Sequence, residues 1–152
     1  MAEITKEITV KAPLDRTWAL VSDMIAFSKC VPGCKEVTQI SDDEYDWVME
    51  AKVLRTKRTV KARTRAAEIR PPLYSRYEGE GRLFEKSNYY RINISGTTNL
   101  EVLGDNETKI IFAGNVVASG LGGRIVEKVA AGQMDDLFEV FEINVKNTLE
   151  GS

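Results

Sequence analysis

The run from Ser119 to Leu149, SGLGGRIVEKVAAGQMDDLFEVFEINVKNTL, decides the fold. Stepped at about 100° per residue, it reads as one long C-terminal helix. Val126, Ala130, Met134, Leu137, Phe141 and Val145 share one stripe of that helix, with Phe138 at its edge. Arg124, Lys128, Asp135, Glu139, Glu142 and Lys146 take the opposite side. A stripe of that width needs a broad apolar surface to lie on. It is also uneven, because Leu137, Phe138 and Phe141 crowd its C-terminal part, whereas Gly123, Val126, Ala130 and nearby Gly132 leave the N-terminal part thin. A thin stretch either receives bulky residues from the facing surface or leaves space for a ligand, and the helix alone does not decide between the two.

The preceding sequence supplies the surface. Ile4, Ile8 and Val10 alternate with polar residues in a half-buried first strand, an alternation that Lys6 interrupts without explanation. Ala12-Pro13 ends that strand, and Pro13 suits the first turn of a helix carrying Leu14, Trp18 and Val21. A short second helix over Asp23 to Lys29 and a turn at Val31-Pro32-Gly33 follow.

From Cys34 to Val117 the pattern is strand after strand. Turns are expected at Ser41-Asp42-Asp43, Arg55-Thr56-Lys57, Arg70-Pro71-Pro72, Glu85-Lys86-Ser87 and Gly104-Asp105-Asn106-Glu107. One face collects Tyr45, Trp47, Met49, Ala51 and Val53, then Val60, Ala62, Thr64 and Ala66, then Leu73, Ser75, Tyr77 and Gly79. Tyr90, Ile92, Ile94, Leu100 and Val102 continue it, followed by Ile110, Phe112, Gly114 and Val116. The expected architecture is α+β: a curved antiparallel sheet of about seven strands wrapped on the long C-terminal helix, with two short helices after strand 1. It forms one domain over residues 1–149, and 150–152 read as a tail.

Composition narrows the chemistry. Across 152 residues, 21 Lys and Arg against 23 Asp and Glu give a net charge of -2, which argues against general nucleic-acid affinity. The absence of histidine removes Ser-His triads and most zinc ligand sets. Cys30 and Cys34 bracket Val-Pro-Gly at a spacing wider than a redox Cys-x-x-Cys, so two reduced, structural thiols are expected, with a reversible disulfide across the turn as the alternative and no metal site or cofactor. No apolar signal region opens the chain and no stretch is long enough to span a bilayer, so the expected location is the cytoplasm, with peripheral membrane contact as an alternative.

Ala12-Pro13, Trp18, Asp23, Cys30-Val31-Pro32-Gly33-Cys34, Gly79 and Gly81, Thr108-Lys109-Ile110-Ile111 and Gly120-Leu121-Gly122-Gly123-Arg124 occur in that order and spacing. Together with the order of elements, they resemble the START-like, helix-grip (SRPBCC) superfamily, most closely its CoxG group, which is named for carbon monoxide dehydrogenase. The resemblance implies a deep apolar cavity between sheet and helix that holds a hydrophobic small molecule. It also implies service to a molybdenum hydroxylase, as an accessory or maturation factor or as a carrier of a lipidic electron acceptor such as a quinone. The sequence departs from the group in its basic strand from Arg58 to Arg65 and in stopping directly after the helix, where longer members continue into a membrane-binding tail. The membrane contact expected of this chain is therefore transient.

Small inward-phase residues, Ala51, Ala62, Ala66, Gly79 and Gly114, face the thin part of the helix stripe and favour a cavity. The expected ligand-lining residues are Trp47, Met49, Ala51, Ala62 and Tyr77 from the first strands, Tyr90 and Phe112 from the later ones, and Val126, Ala130 and Met134 from the helix. Tyr45, Thr64 and Ser75 would add sparse hydroxyls to a greasy wall suited to a quinone, lipid or polyketide. Glu50, Glu78 and Glu80 fall on the outward face, so no catalytic residue is assigned. A cyclase or dehydratase using buried tyrosine as general acid is the enzymatic alternative.

Lys61, Arg63 and Arg65, within a basic run that begins at Arg55, are either a solvated face or a docking surface for an acidic protein or an anionic membrane. The docking reading makes a protein-interaction module a third alternative. The glycine-rich segment before the helix lacks the spacing of a phosphate-binding fingerprint and reads as a flexible helix start. Leu121, Ile125 and Val129 form a second apolar stripe, a candidate homodimer or membrane contact.

Overall fold

The computed structural model describes residues 2–53, 55–85, 88–119 and 122–151. Strand β1 (Ala2–Val10) leads into helices α1 (Leu14–Ser22) and α2 (Met24–Ser28). Six strands follow: β2 (Cys34–Gln39), β3 (Glu44–Val53), β4 (Thr56–Arg70), β5 (Tyr74–Glu85), β6 (Asn88–Gly104) and β7 (Glu107–Ser119). Helix α3 (Gly123–Glu150) is the last element. The strands form one seven-stranded sheet in the order β1-β7-β6-β5-β4-β3-β2, antiparallel throughout. Each consecutive pair from β2 to β7 is a hairpin, and β1 closes the far edge against β7. The expected α+β architecture is the observed one.

Local chemistry explains the element ends. The Asp23 carboxylate accepts from the Ile25 and Ala26 amides at 3.0 and 3.2 Å and caps α2. Pro13 sits at the N-cap of α1, where its missing amide proton costs nothing. Thr17, fully buried in α1, donates its hydroxyl to the Pro13 carbonyl at 3.0 Å. The buried Thr108 hydroxyl donates to the Ala12 carbonyl at 2.9 Å, which ties the end of β1 to β7.

Where expectation and structure differ, geometry supplies the reason. The helix starts at Gly123, and Ser119 is the last residue of β7. Gly120, Leu121, Lys86, Ser87 and the Val53 side chain lie outside the described residues. Thr56 and Lys57 already pair in β4, and the tight turn before them puts Arg55 at φ 68°, in the left-handed region. Leu73 is exposed in the β4–β5 turn, where its amide hydrogen-bonds back to the Arg70 carbonyl. Val102 keeps the inward phase but lies on the exposed end of β6, next to an irregularity in the β6–β7 register. Lys6 interrupts the alternation of β1 because its ammonium reaches Asp135 on α3 and lies 5.8 Å from the Phe138 ring. Helix α3 runs through Glu150, whose carboxylate accepts from the Lys11 amide at 2.7 Å.

The core does not follow the whole helix. Ile8, Val10, Leu20, Val21, Leu100 and Ile110 form a cluster that Phe141, Val145 and Leu149 of α3 enter. Phe27, Phe112, Phe138 and Phe141 interlock beside it at centroid distances of 5.3 to 6.4 Å. A second attachment holds the start of α3. A Cβ on Gly123 would lie 2.7 Å from the Ala118 carbonyl oxygen, so only glycine lets the helix press against the end of β7. Glu127 reinforces the contact by accepting from the Ala118 amide at 2.7 Å.

Between Glu127 and Phe141 no residue of α3 is buried. Leu137, expected on the buried stripe, is 40% exposed. Gly132 stands in the middle of this section with no atom within 4 Å of where a Cβ would be, so packing does not require it. Buried side chains hold the helix at both ends, and the section of about 20 Å between them carries none, its Gln133 and Asp135 reaching the sheet only through polar contacts.

Truncating Phe141 to alanine should therefore cost about 3–5 kcal/mol of unfolding free energy in urea denaturation. Leu137→Ala, at a 40% exposed position in the middle section, should cost under about 1 kcal/mol by the same measurement.

An apolar pocket beneath the helix

A pocket of about 620 Å³ lies under that section without buried residues. Trp47, Met49 and Ala51 of β3 and Val60, Ala62 and Thr64 of β4 form one side. Ile94 and Val116 form the floor, Met134 and Leu137 the roof, and Phe27, Val31 and Pro32 of the α2–β2 segment the end. Glu50, Lys52, Lys57 and Gln133 are the charged and amide residues that line it. The Gln133 amide donates to the Lys52 carbonyl, a strap from helix to β3, while Lys57 pairs with Glu50 at 3.6 Å.

Two features keep the wall apolar and open. The Trp47 indole N–H donates to the Thr64 hydroxyl at 2.9 Å, which satisfies both polar groups within the wall itself. Gly79 and Gly81 sit opposite Thr64 and Ala62 in the β4–β5 register. A Cβ at either glycine would come within 2.8 Å of a β4 carbonyl oxygen, so the bend of the sheet at this point depends on their lacking one. Ile94, Val116 and Met134 also line a neighbouring hollow of about 500 Å³ that reaches β1 and the Lys6–Asp135 pair. The two hollows thus share a wall of Ile94, Val116 and Met134 beneath α3.

Of the residues expected to line a ligand, Trp47, Met49, Ala51, Ala62 and Met134 meet around the pocket. Phe112 is instead part of the aromatic cluster, with its ring 5.3 Å from that of Phe141. Val126 belongs to the N-terminal attachment of α3, and Ala130 follows it, half-buried. Tyr90 packs at the helix start, where a Cβ on Gly122 would be 3.1 Å from its hydroxyl. Tyr77 lies between Ala66 and Gly96 in the sheet register. Burial, and secondarily the neighbouring Tyr45, push its phenol above the ordinary tyrosine value. Ser75 is fully buried, and its hydroxyl has no hydrogen-bond partner among the described residues.

Sequence reasoning misses Phe27, Val31 and Pro32, because the segment that carries them has no periodicity to reveal which side faces inward. Ile94 and Val116 have the inward phase, and only the register shows that they share a floor.

On the outer face, the Arg63 guanidinium forks onto Asp46 at 2.8 and 3.1 Å and holds that carboxyl below its usual range. Arg65 reaches Glu78 at 3.5 Å, and Arg76 bonds the same carboxylate. Cys30 is buried, Cys34 is half-buried with its thiol pushed up by burial, and both are free. Among the described residues no helix is long and apolar enough to cross a membrane, and no cluster of three or more His, Cys, Asp or Glu could hold a metal.

The family model for CoxG, one of the subunits of carbon monoxide dehydrogenase, matches residues 7–146. The chain belongs to the CoxG family. No curated protein matches this CoxG-family chain. Among solved structures, a conserved protein from Geobacillus kaustophilus is similar at TM-score 0.74 and 21% identity, over 96% of each chain. A START superfamily protein from Mycobacterium smegmatis matches at TM-score 0.67 and 15% identity, over 97% of this chain and 99% of its own. The Zhui aromatase/cyclase from a Streptomyces species matches at TM-score 0.62 and 16% identity, over 99% and 97%. At these identities the likeness is one of fold, and the fold of this CoxG-family chain is START-like.

The raised Tyr77 value has a measurable consequence. The folded protein keeps the phenol's proton at pH values where the unfolded chain loses it, so the associated stability is complete below the ordinary value of 10.0 and is lost as pH rises through the folded value. The urea midpoint should fall above pH 10.0, and Tyr77→Phe should flatten that part of the profile.

Proposed function

We propose that this CoxG-family protein is a non-catalytic carrier that encloses a hydrophobic small molecule of the quinone, lipid or polyketide kind beneath α3. The observation that carries the reading is the pocket of about 620 Å³ under the section of the helix in which no residue is buried. Its apolar lining is Phe, Val, Pro, Trp, Met, Ala, Ile and Leu; the indole and hydroxyl are bonded to each other, Gln133 to β3 and Lys57 to Glu50. A wall of that kind gains binding energy from apolar area and offers few groups to orient a polar substrate. The family name supports a role beside a molybdenum hydroxylase of the carbon monoxide dehydrogenase type, to which the carrier would deliver or from which it would collect its ligand.

An enzymatic role of the kind named for the Streptomyces neighbour has less support. Tyr77, the tyrosine with a shifted phenol, is not among the residues that line the pocket. Glu78 is held by arginines on the outer face, away from the pocket wall.

Native mass spectrometry with organic extraction tests the proposal. Freshly purified protein should carry one apolar molecule per chain, or take up a quinone, fatty acid or sterol in a displacement assay. Ala51→Leu combined with Ala62→Leu fills the pocket and should weaken uptake by at least about tenfold, since the added side chains occupy the volume a ligand needs. An unchanged melting temperature would show that the fold survives the substitution. A clean mass with no uptake, or uptake unaffected in the filled variant, would refute the carrier role.

A further inference from the structure

Lys61, Arg82 and Arg91 are far apart in the sequence but stand directly opposite one another on β4, β5 and β6. The neighbouring outer-face rows show how unusual that is. One row runs Glu44, Arg65, Glu78, Ser95, and the next runs Asp46, Arg63, Glu80, Asn93. Each alternates in sign, as cross-strand stability requires. The third row runs Val48, Lys61, Arg82, Arg91, Ser119, with three positive charges side by side and no carboxylate among them. Like charges directly opposite destabilise a sheet, and none of these three is in an ion pair with a described carboxylate. Elsewhere in the sheet a like-charge pair is relieved: Lys57 faces Lys52 but bonds Glu50.

Aromatic faces partly support two of the cations. Lys61 lies 5.7 Å from the Phe84 ring and Arg82 4.8 Å from the Tyr89 ring. These contacts orient the side chains without neutralising them. All three cations line an open hollow of about 840 Å³ on the outer face, together with Asn93, Phe84 and Ser119.

We propose that this row is a binding site for a compact phosphate-class anion, separate from the apolar pocket on the other face of the sheet. Two strand spacings put the three charges within about 10 Å, a span that suits a diphosphate or phosphomonoester. Two guanidinium forks match the several oxygens of a phosphate, and a bound anion removes the repulsion that the row otherwise carries. Asp46 and Glu80 line the same hollow one row away. Asp46 is bonded to Arg63, and Glu80 confines the anion to the row of cations. The phosphate could arrive free in solution or as the headgroup of a lipid.

Calorimetric titration of the full chain with inorganic diphosphate, at fixed ionic strength and against a chloride control, tests the site. One diphosphate should bind per chain, and Arg82→Gln and Arg91→Gln should each weaken it by about tenfold. Arg76→Gln, which removes a cation bonded to Glu78, should leave the affinity unchanged. Without anion, either substitution in the row should raise the melting temperature, which also establishes that the variants fold. Flotation with phosphatidylcholine vesicles, with and without phosphatidic acid, separates the two sources. Binding to the phosphatidic acid vesicles alone assigns the site to a lipid headgroup, and binding to diphosphate alone assigns it to a soluble phosphate. Binding to neither, or binding that the Arg82→Gln and Arg91→Gln double variant retains at full affinity, overturns the proposal.

Discussion

The attachment of α3 at its two ends is the constraint on which the rest of the structure depends. At the C-terminal end, Phe141, Val145 and Leu149 enter the core built by β1, α1, β6 and β7. Polar contacts fix the same end in register: Arg16 donates to the Leu149 carbonyl and Asn144 to the Cys30 carbonyl, both at 3.0 Å. At the other end, Gly123 presses on Ala118 and Glu127 holds its amide. With both ends fixed, the distance between helix and sheet in the middle is set from outside. The side chains there need not fill the gap.

That arrangement separates stability from ligand binding. The residues that hold the helix are large, buried and clustered, while those over the pocket are half-buried or exposed and contribute little to folding. The sheet divides in the same way. Ile8, Leu100 and Ile110 pair across β1, β6 and β7 beneath the C-terminal anchor, whereas Ala51 of β3 and Ala62 of β4 line the pocket. Changes to the pocket wall can therefore retune what fits without unfolding the protein.

Much of this is legible in the sequence because alternation and helical period are local signals. Spacing alone places Trp47, Met49, Ala51 and Ala62 on one face and Met134 on the facing stripe. It puts Leu137 on the correct side but not at its depth, because period says which side a residue takes, not how far the helix stands from its partner. Lys6 makes sense only with Asp135 opposite it. Phe27, Val31 and Pro32 come from a segment without a repeat. The row of Lys61, Arg82 and Arg91 is illegible because cross-strand neighbours depend on every turn between them. Arg63 and Arg65 look like its equals until the register sets them beside acids.

Gly132 gives the span a mechanical character. A glycine in a helix interior weakens it by about 1 kcal/mol relative to alanine, and here no neighbour requires the missing side chain. A rod clamped at both ends with a soft point near its centre bows rather than swings. Guests of different girth can then be admitted by flexing the middle of the rod, while the anchors, and the seven strands behind them, keep their positions.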